Sequence, residues 1–545
     1  IDLSGFNFSD DDLDLSIIND DTVSKPSMYS GVKIVPDGND ISKPLSELEN
    51  KEDWIYDESS CSQINFIYSE VVKKYRENYK QFFEIYGKKS SKEKNGKHSL
   101  TIASVDIGGG TTDLMICNYV YSGNQTTPTI TPNPLYWETF NLAGDDLLKE
   151  IVNQVLIDGN NDKDRYNGMI RNYCEEIGCI DTTNKILHFF QQYGAIQGAS
   201  HNFYRKSIVH QILVPIAIKY LDILSSHNGE TVDLSYDEIF IENKPNEQLI
   251  TYINKKFGGD FDFKAIRWLV SKEKINEIIN IKFSKRFKQI STLVYTCKAD
   301  ILLLAGKPSS IPEIRKMFVN ELSITSDRII SLSNYRIGSW YPFRDEKGYL
   351  LDAKTTVAVG AMIYALGGKF KNLNSIRFNT ELLKSKLTST ANYIGSYNAT
   401  RGSLNSIFFD EKTENYQIKE MTPPLSIGFK QLRSNSYPAR PIFILDFNEE
   451  IILEKIKKRN QTYSDIQLMD ALKARLIKLR NGKYTIEIER DLDTSKESIK
   501  VLSVDSDEDG IQVSPIDFEL KLMTANQPNG YWLDTGEFIA LIHKD

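Results

Sequence analysis

Ser104-Val105-Asp106-Ile107-Gly108-Gly109-Gly110-Thr111-Thr112-Asp113-Leu114-Met115-Ile116 sets a glycine triplet between two apolar runs. The run that enters it, Leu100 to Ile107, is rich in β-branched residues; the run that leaves it reaches Tyr121. This pattern predicts two strands joined by a tight hairpin. Glycine carries no Cβ, so consecutive glycines can take positive φ and aim successive N–H groups into one concavity. Such a nest binds anions, phosphate above all. Gly108, Gly109 and Gly110 are therefore the expected phosphate-binding residues, with Thr111 and Thr112 adding hydroxyl donors. Asp106 closes the first strand as a hard oxygen ligand suited to Mg²⁺ or its waters. Asp113 is placed to brace the turn by accepting backbone N–H bonds, and the two acids together are the metal candidates. The plainer alternative is a glycine-rich hairpin with no ligand.

The chain around this stretch has 545 residues, enough for two or more domains with cores of their own. A net charge of −8 argues against a general nucleic-acid surface. No apolar run approaches the roughly 20 residues needed to span a bilayer; Ile301-Leu302-Leu303-Leu304 reads as a buried strand. There is neither a secretory signal nor an initiator Met, so Ile1 reads as a cut point in a longer polypeptide. The five cysteines form no CxxC pair and read as reduced thiols of a cytoplasmic protein. The histidines show no metal spacing, and no internal repeat is present.

In order along the chain, residues 1–45 are acidic and broken by turns. Trp54-Ile55-Tyr56-Asp57-Glu58 reads as a short strand ending in acids, with Ser59 and Ser60 able to cap a helix after it. Ile64, Ile67, Tyr68, Val71, Tyr75, Tyr79 and Phe82 predict one long amphipathic helix to Gly87, and Lys88 to Lys97 a solvated loop. After the hairpin, Tyr136 to Leu142 is a strand. Ala143-Gly144-Asp145-Asp146 starts a helix whose first acids suit its dipole or cap it. Residues 160–300 read as a mostly helical insertion, with a possible strand at Tyr236 to Ile241. Asp300 to Ala305 is a buried strand followed by Gly306-Lys307-Pro308-Ser309-Ser310-Ile311-Pro312 and a helix, a connection where a ligand can sit. Gly360 lies inside the helix Asp352 to Leu366, where close approach of another backbone or a ligand would account for it. From 372 the texture is β-rich. Strands are expected at Ser406–Phe409, Pro441–Phe447, Tyr484–Glu489, Ile499–Val504, Phe518–Thr524 and Phe538–Ile542, with helices near 449–459 and 464–480. Asn481-Gly482 and Asn529-Gly530 are turn signals.

Three features now stand in order: an acid before a helix, the GGGTTD hairpin, and a strand–Gly–Ser–Ile–Pro loop before a glycine-containing helix. Together they resemble the second lobe of the actin, heat-shock-chaperone and sugar-kinase superfamily, in which two lobes of ribonuclease-H-like topology clamp ATP. The resemblance implies that Asp106 to Asp113 is the second phosphate loop, closest to the chaperone, FtsA and MreB versions. Ala305 to Pro312 would be the adenosine loop, with Ala305, Gly306, Lys307, Ser309 and Gly360 toward the adenosine and Gly144 across the nucleotide. Glu58 falls where the chaperones place the glutamate that positions the attacking water. The chaperones carry two glycines in the adenosine loop, whereas this chain has Gly306 followed by Lys307-Pro308.

The chain also resembles the SrfB family of virulence factors. That resemblance rests on Asp57-Glu58-Ser59-Ser60-Cys61-Ser62-Gln63, the hairpin, Ala305 to Pro312, Tyr335-Arg336-Ile337-Gly338-Ser339-Trp340-Tyr341-Pro342-Phe343, Asp352 to Met362, and Ile427-Gly428-Phe429-Lys430-Gln431-Leu432. It spans roughly residues 53–450 and looks like the C-terminal half of that family, where the Gly-Lys-Pro-Ser loop is normal. The expected fold is accordingly α/β. An acidic remnant of a first lobe (1–45) leads into an actin/chaperone-type ATPase lobe (46–371) with a helical insertion (160–300), and a smaller β-rich α+β domain (372–545) comes last. The implied cofactors are ATP and Mg²⁺. The implied activity is slow ATP hydrolysis acting as a switch, with a protein partner bound through the C-terminal domain. A non-catalytic scaffold and an actin-like filament former are the alternatives. No sugar-recognition signature is present, and the aromatic segment Tyr335 to Phe343 reads as a packed loop or a partner contact.

Overall fold

The computed structural model describes residues 57–87, 98–122, 128–140, 142–157, 168–190, 199–226, 231–386, 389–410, 412–433, 439–491, 498–506, 512–523, 532–536 and 538. Outside them lie the acidic segment 1–45, Trp54 to Tyr56, the stretch from Lys88 to Lys97, the Asn529-Gly530 turn and all but Phe538 of the last expected strand. The chain divides into two compact units, residues 1–385 with 532–545, and residues 386–531. The expected boundary at 371/372 thus falls earlier than the observed one. Arg377–Phe378 still pairs with the first unit's sheet, and Phe538 stacks edge-on against Phe190 of the same unit.

The first unit is built on a six-stranded mixed sheet. In chain order its strands are β1 (His98–Ile107), β2 (Thr112–Ser122), β3 (Thr129–Phe140), β6 (Ile301–Ala305), β7 (Ile329–Ser331) and β8 (Arg377–Phe378), arranged β7-β6-β1-β2-β3-β8. β1, β2 and β3 form an antiparallel meander. β6 runs parallel to β1, and β7 parallel to β6. β6 is buried along its whole length, as a continuous apolar run in a parallel arrangement requires.

α1 (Glu58–Tyr68) covers one face of this sheet. Side chains alternate along a strand, so Asp106 and its partner Asp113 share a face with Ser104 and Met115. Gln63 of α1 reaches that face: its Nε2 donates to Ser104 Oγ at 2.7 Å and to the Met115 carbonyl at 3.1 Å, while its Oε1 accepts from Tyr119. The long helix expected from Ile64 to Phe82 is interrupted. A wide turn comes after α1, Arg76 and Glu77 take positive φ, and α2 (Tyr79–Tyr86) starts afresh with Asn78 as its cap.

α3 (Gly144–Ile151) follows β3, and the helical insertion then carries α4 (Met169–Glu176), α5 (Thr182–Phe190), α6 (Ala199–Ile208), α7 (Val214–Ser226), α8 (Tyr236–Ile239), α9 (Glu247–Phe257) and α10 (Lys272–Thr296). Within it a two-stranded sheet pairs β4 (Thr231–Leu234) with β5 (Trp268–Ser271). The strand expected at Tyr236 to Ile241 is instead the short α8, because Ser235 and Glu238 close a capping box around its first turn. After β6 come α11 (Pro312–Glu321), α12 (Thr355–Tyr364) and α13 (Glu381–Lys386).

The second unit contains two antiparallel sheets. β9 (Tyr393–Asn398), β10 (Ser403–Phe409), β12 (Leu425–Lys430), β13 (Arg440–Phe447) and β16 (Phe518–Leu522) form one, in the order β10-β9-β12-β13-β16. β11 (Asn415–Met421), β14 (Tyr484–Asp491) and β15 (Ser498–Ser506) form the other. With α14 (Glu449–Arg459) and α15 (Asp465–Arg480) they enclose a core that includes Phe447, Tyr484, Phe518 and Leu479. Arg480 at the end of α15 bridges Asp446 and Glu449. Among the described residues no helix is long and apolar enough to cross a membrane.

Candidate functional site

β1 and β6 lie side by side in the same direction, with Asp106 opposite Ala305, so their carboxyl ends open at one edge of the sheet. From there β1 bends into β2 on one side, while β6 passes through Gly306 and α11 to β7 on the other. The β1–β2 bend spans Gly108 to Thr111 and is closed by the Gly108 N–H donating to the Thr111 carbonyl at 2.8 Å. Gly109, Gly110 and Thr111 are exposed. Among the described residues no backbone carbonyl accepts from the N–H groups of these three. The carbonyls of Gly108 and Gly109 are occupied by the amides of Gly144 and Asp145, at 2.9 and 2.8 Å. The first turn of α3, which has spare amides, is thereby docked on the bend.

The glycines do not make this bend by the expected route. None of Gly108, Gly109 and Gly110 takes a left-handed φ. A connection of this length spreads the reversal over several torsions and has no need of the mirror-image turn that a two-residue hairpin demands.

Below the bend, burial, then the charge of Glu58, then that of Asp113, push the Asp106 carboxyl up to about 6, with Lys354 pulling the other way. Asp113 accepts hydroxyl bonds from Thr111 at 3.3 Å and from Thr139 at 2.5 Å. It thus braces the bend through side chains and not through the backbone N–H groups expected. Glu58 opens α1 behind its cap Asp57, whose Oδ1 accepts the Ser60 N–H at 2.9 Å. α1 is fixed in turn by α12. A Cβ on Gly360 would stand 2.0 Å from the Cys61 carbonyl oxygen, and Ser62 and Thr356 share a hydroxyl bond at 3.0 Å. Among the described residues no three His, Cys, Asp or Glu side chains converge to hold a metal. The opposed Asp106 and Asp113 still present the one or two carboxylates that Mg²⁺ ordinarily takes, the rest of its shell being water and phosphate oxygen. Burial first, then the like charges of Glu58 and Asp113, raise Asp106's pKa, and a divalent cation would relieve all three.

The family model described as virulence factor SrfB matches residues 37–539. The chain belongs to the SrfB family. The match extends past the span 53–450 at both ends. No match to a curated protein was found.

In this SrfB chain the expected site residues fall into two groups. Brought together are Glu58, Asp106, Asp113, the bend, Gly144, Ala305 and Gly306. Gly144 and Gly306 are there on steric grounds. A Cβ on Gly144 would meet Pro308 Cγ at 2.9 Å, and one on Gly306, whose φ is +81°, would meet the Ile107 carbonyl oxygen at 2.0 Å. Gly144 and Pro308 therefore touch, and no nucleotide fits between them at that point. The remaining residues are engaged elsewhere. Gly360 packs on α1. The Thr112 hydroxyl donates to the Leu142 carbonyl at 2.6 Å, and that of buried Ser309 to the Gly306 carbonyl at 2.7 Å. Lys307 pairs with Asp222 at 3.3 Å on the surface.

Three participants are given no role by the motif reading. Lys354 supplies the cation near Asp106. Asp145 lies over the bend, its Oδ1 3.2 Å from where a Cβ on Gly109 would be. Gln63 ties α1 to the sheet. Only Asp145 had a local signal, as one of two acids in a helix's first turn; Asp146, the other, is the cap, accepting the Ala143 N–H. The SrfB segment Tyr335 to Phe343 packs on the helix side of the unit. Tyr335 donates to Glu70, Trp340 stands edge-on to Tyr68, and Tyr341 shares a hydroxyl bond with Thr355 at the start of α12. Beside the Gly306 loop a cavity of about 190 Å³ is lined by Leu221, Lys272, Ile275 and Asn276 on one side and Ile311, Pro312, Glu313 and Lys316 on the other.

Proposed function

We propose that the first unit is an ATP·Mg²⁺-binding lobe of the actin, chaperone and sugar-kinase kind, and that its nucleotide state is a switch for a protein partner. One observation carries the reading. At the shared carboxyl edge of β1 and β6, where the two connections diverge, an exposed bend with unclaimed N–H groups stands over a pair of opposed carboxylates. Ligands of open α/β sheets bind where neighbouring strands lead off in opposite directions. The order of the sheet, a three-stranded meander extended by two parallel strands, supports a ribonuclease-H-like lobe.

The amides of Gly109, Gly110 and Thr111 would take the terminal phosphates. Asp106 and Asp113 would hold Mg²⁺, which when bound supplies charge neutralisation between them and the phosphates. Glu58, fixed at the head of α1 and close enough to act on Asp106, would orient the attacking water. Such positioning and charge neutralisation supply most of the catalysis in phosphoryl transfer. The cavity beside Ile311 and Pro312 offers apolar walls with Lys272 and Asn276 at its margin, which suits a purine better than the closed gap at Gly144. Because Glu58, Asp106, Asp113 and Asp145 all carry negative charge beside the bend, a polyphosphate without a divalent cation would be repelled. The second unit, with Ile477, Ile516 and Leu522 exposed, is the partner-binding element in this reading. The free thiols support a reducing, cytoplasmic setting.

Calorimetric titration of the full chain with ATP and Mg²⁺ tests the proposal. Binding is expected with Mg²⁺, is lost on chelation, and is weakened at least tenfold in Asp106→Ala. Equal affinities in the two proteins overturn the metal role. The contact between Gly144 and Pro308 favours a second reading, a scaffold that keeps the fold without turnover. Phosphate release that is the same in Glu58→Gln as in the wild type would select it.

A further inference from the structure

We infer that Cys174 and Cys179 form a reversible disulfide that clamps the end of α4 to the turn entering α5. α4 ends in a paired set of closing hydrogen bonds. The Gly178 N–H donates to the Glu175 carbonyl at 3.2 Å, and the Cys179 N–H to the Cys174 carbonyl at 2.8 Å, with Gly178 at φ +69°. This helix ending brings the side chains at its third-last helical and second outer positions into contact, and here both are cysteine. The geometry sets a limit on their separation. A carbonyl oxygen lies about 2.4 Å from its own Cα and an amide nitrogen about 1.5 Å from its own. With 2.8 Å between them, the two Cα atoms are at most about 6.7 Å apart, inside the 4.4–6.8 Å or so that disulfides span.

Cys174 is buried and Cys179 is half-exposed, next to Ile180, which is 84% exposed. A Cβ at Gly178 would meet nothing within 4 Å, so the turn has room to adjust. Arg171 and Lys185 place positive charge near the pair.

The oxidant is a small disulfide such as oxidised glutathione. The Cys179 thiolate attacks one of its sulfurs and expels the other as a thiolate. Cys174 then gives its proton to solvent, and its sulfur attacks that of Cys179, expelling the second thiolate. Two cysteine thiols lose two electrons in all, and the small disulfide becomes two thiols. Cys179 is the more exposed of the two and reacts first; burial pushes the Cys174 thiol up to about 12, with the neighbouring Cys179 adding to the shift, so the second step quickens as pH rises.

The test equilibrates the full chain against oxidised and reduced glutathione, quenches in acid, alkylates under denaturing conditions and digests with trypsin. One peptide, Asn172–Lys185, carries both cysteines. It is expected to become unalkylated and lighter by two hydrogens, and to be alkylated twice after reduction, while Cys61, Cys117 and Cys297 stay alkylated throughout. In Cys174→Ser the end state becomes a glutathione adduct on Cys179. A wild-type peptide that is alkylated on both cysteines in the most oxidising mixture, or that ends with glutathione on Cys179, overturns the inference. The outcome is independent of nucleotide binding.

Discussion

Two glycine-bearing turns stand side by side at the carboxyl ends of β1 and β6, and they obey different constraints. Gly306 is required by the chain itself. Its φ is +81°, and any Cβ would run into the Ile107 carbonyl and the Asp106 carboxylate. At the β1–β2 bend the chain asks for little. Gly110 has nothing within 4 Å of a would-be Cβ, Gly109 faces only the movable carboxylate of Asp145, and neither is left-handed. A glycine that packing does not explain points to something that approaches from outside. The comparison therefore separates a glycine that packing requires from glycines that packing does not explain.

Gly306→Ala is the harshest way to probe this contrast. The left-handed strain and the clash with Ile107 add to about 3 kcal/mol or more, expected as a large drop in the urea midpoint with loss of the β1–β6 edge. An unchanged midpoint would show that the loop can move aside, and the steric half of the comparison would fail. Gln63→Leu comes next. It leaves the buried Tyr119 hydroxyl and Met115 carbonyl without their partner, at about 2 kcal/mol. By loosening α1 it also moves Glu58 away from Asp106, so the Asp106 titration followed by NMR should fall from about 6 toward the ordinary carboxylate range.

The contrast between these turns also shows what a sequence discloses. β1, β2 and β6 were legible because β-branched apolar runs stop at glycine, and α3, α11 and α12 because their apolar spacing and first-turn residues are local facts. β3 begins seven residues before the expected Tyr136, at Thr129; Pro132 and Pro134 are residues that a strand interior disfavours, yet β3 pairs antiparallel with β2 along that stretch. Gly360 could be read as the approach of another backbone or of a ligand, because a mid-helix glycine announces close approach without saying of what. The answer, the Cys61 carbonyl, lies some 300 residues away. Lys354 and Gln63 act only through tertiary neighbours, and no local pattern distinguishes them from other polar helix residues. In the second unit β9, β11 and β12 went unseen; β12 alternates Leu425, Ile427 and Phe429 but is only six residues long, and all three are held by pairing with neighbouring strands.

Asp106→Asn sharpens the comparison through pH. A carboxyl whose folded pKa lies above its unfolded one keeps its proton better in the folded chain. Its pKa rises from 3.8 to about 6, so stability falls as pH rises through that interval. Allowing for screening at a half-exposed group, the loss is about 1–2 kcal/mol. The asparagine variant should therefore flatten the stability profile between about pH 4 and pH 6 and be the more stable protein at pH 7, while binding ATP with Mg²⁺ more weakly. A gain in stability joined to a loss of binding is what a site strained for a cation predicts. A loss of both would mean that Asp106 is a structural acid.

Gly110→Ala has the smallest effect on folding and decides the most. With open space around it and no left-handed φ, alanine should leave stability within about 0.5 kcal/mol, or raise it slightly by restricting the unfolded chain. Gly306→Ala confounds binding with folding, and Asp106→Asn changes charge; Gly110→Ala does neither. If the bend's N–H groups grip phosphate, a methyl group beside them obstructs that approach and weakens ATP·Mg²⁺ binding by about tenfold, or 1.4 kcal/mol, with the urea midpoint unmoved. If both the midpoint and the affinity are unchanged, the openness of this bend has no functional meaning. Its glycines would then be a matter of chain geometry, as Gly360 is of helix packing.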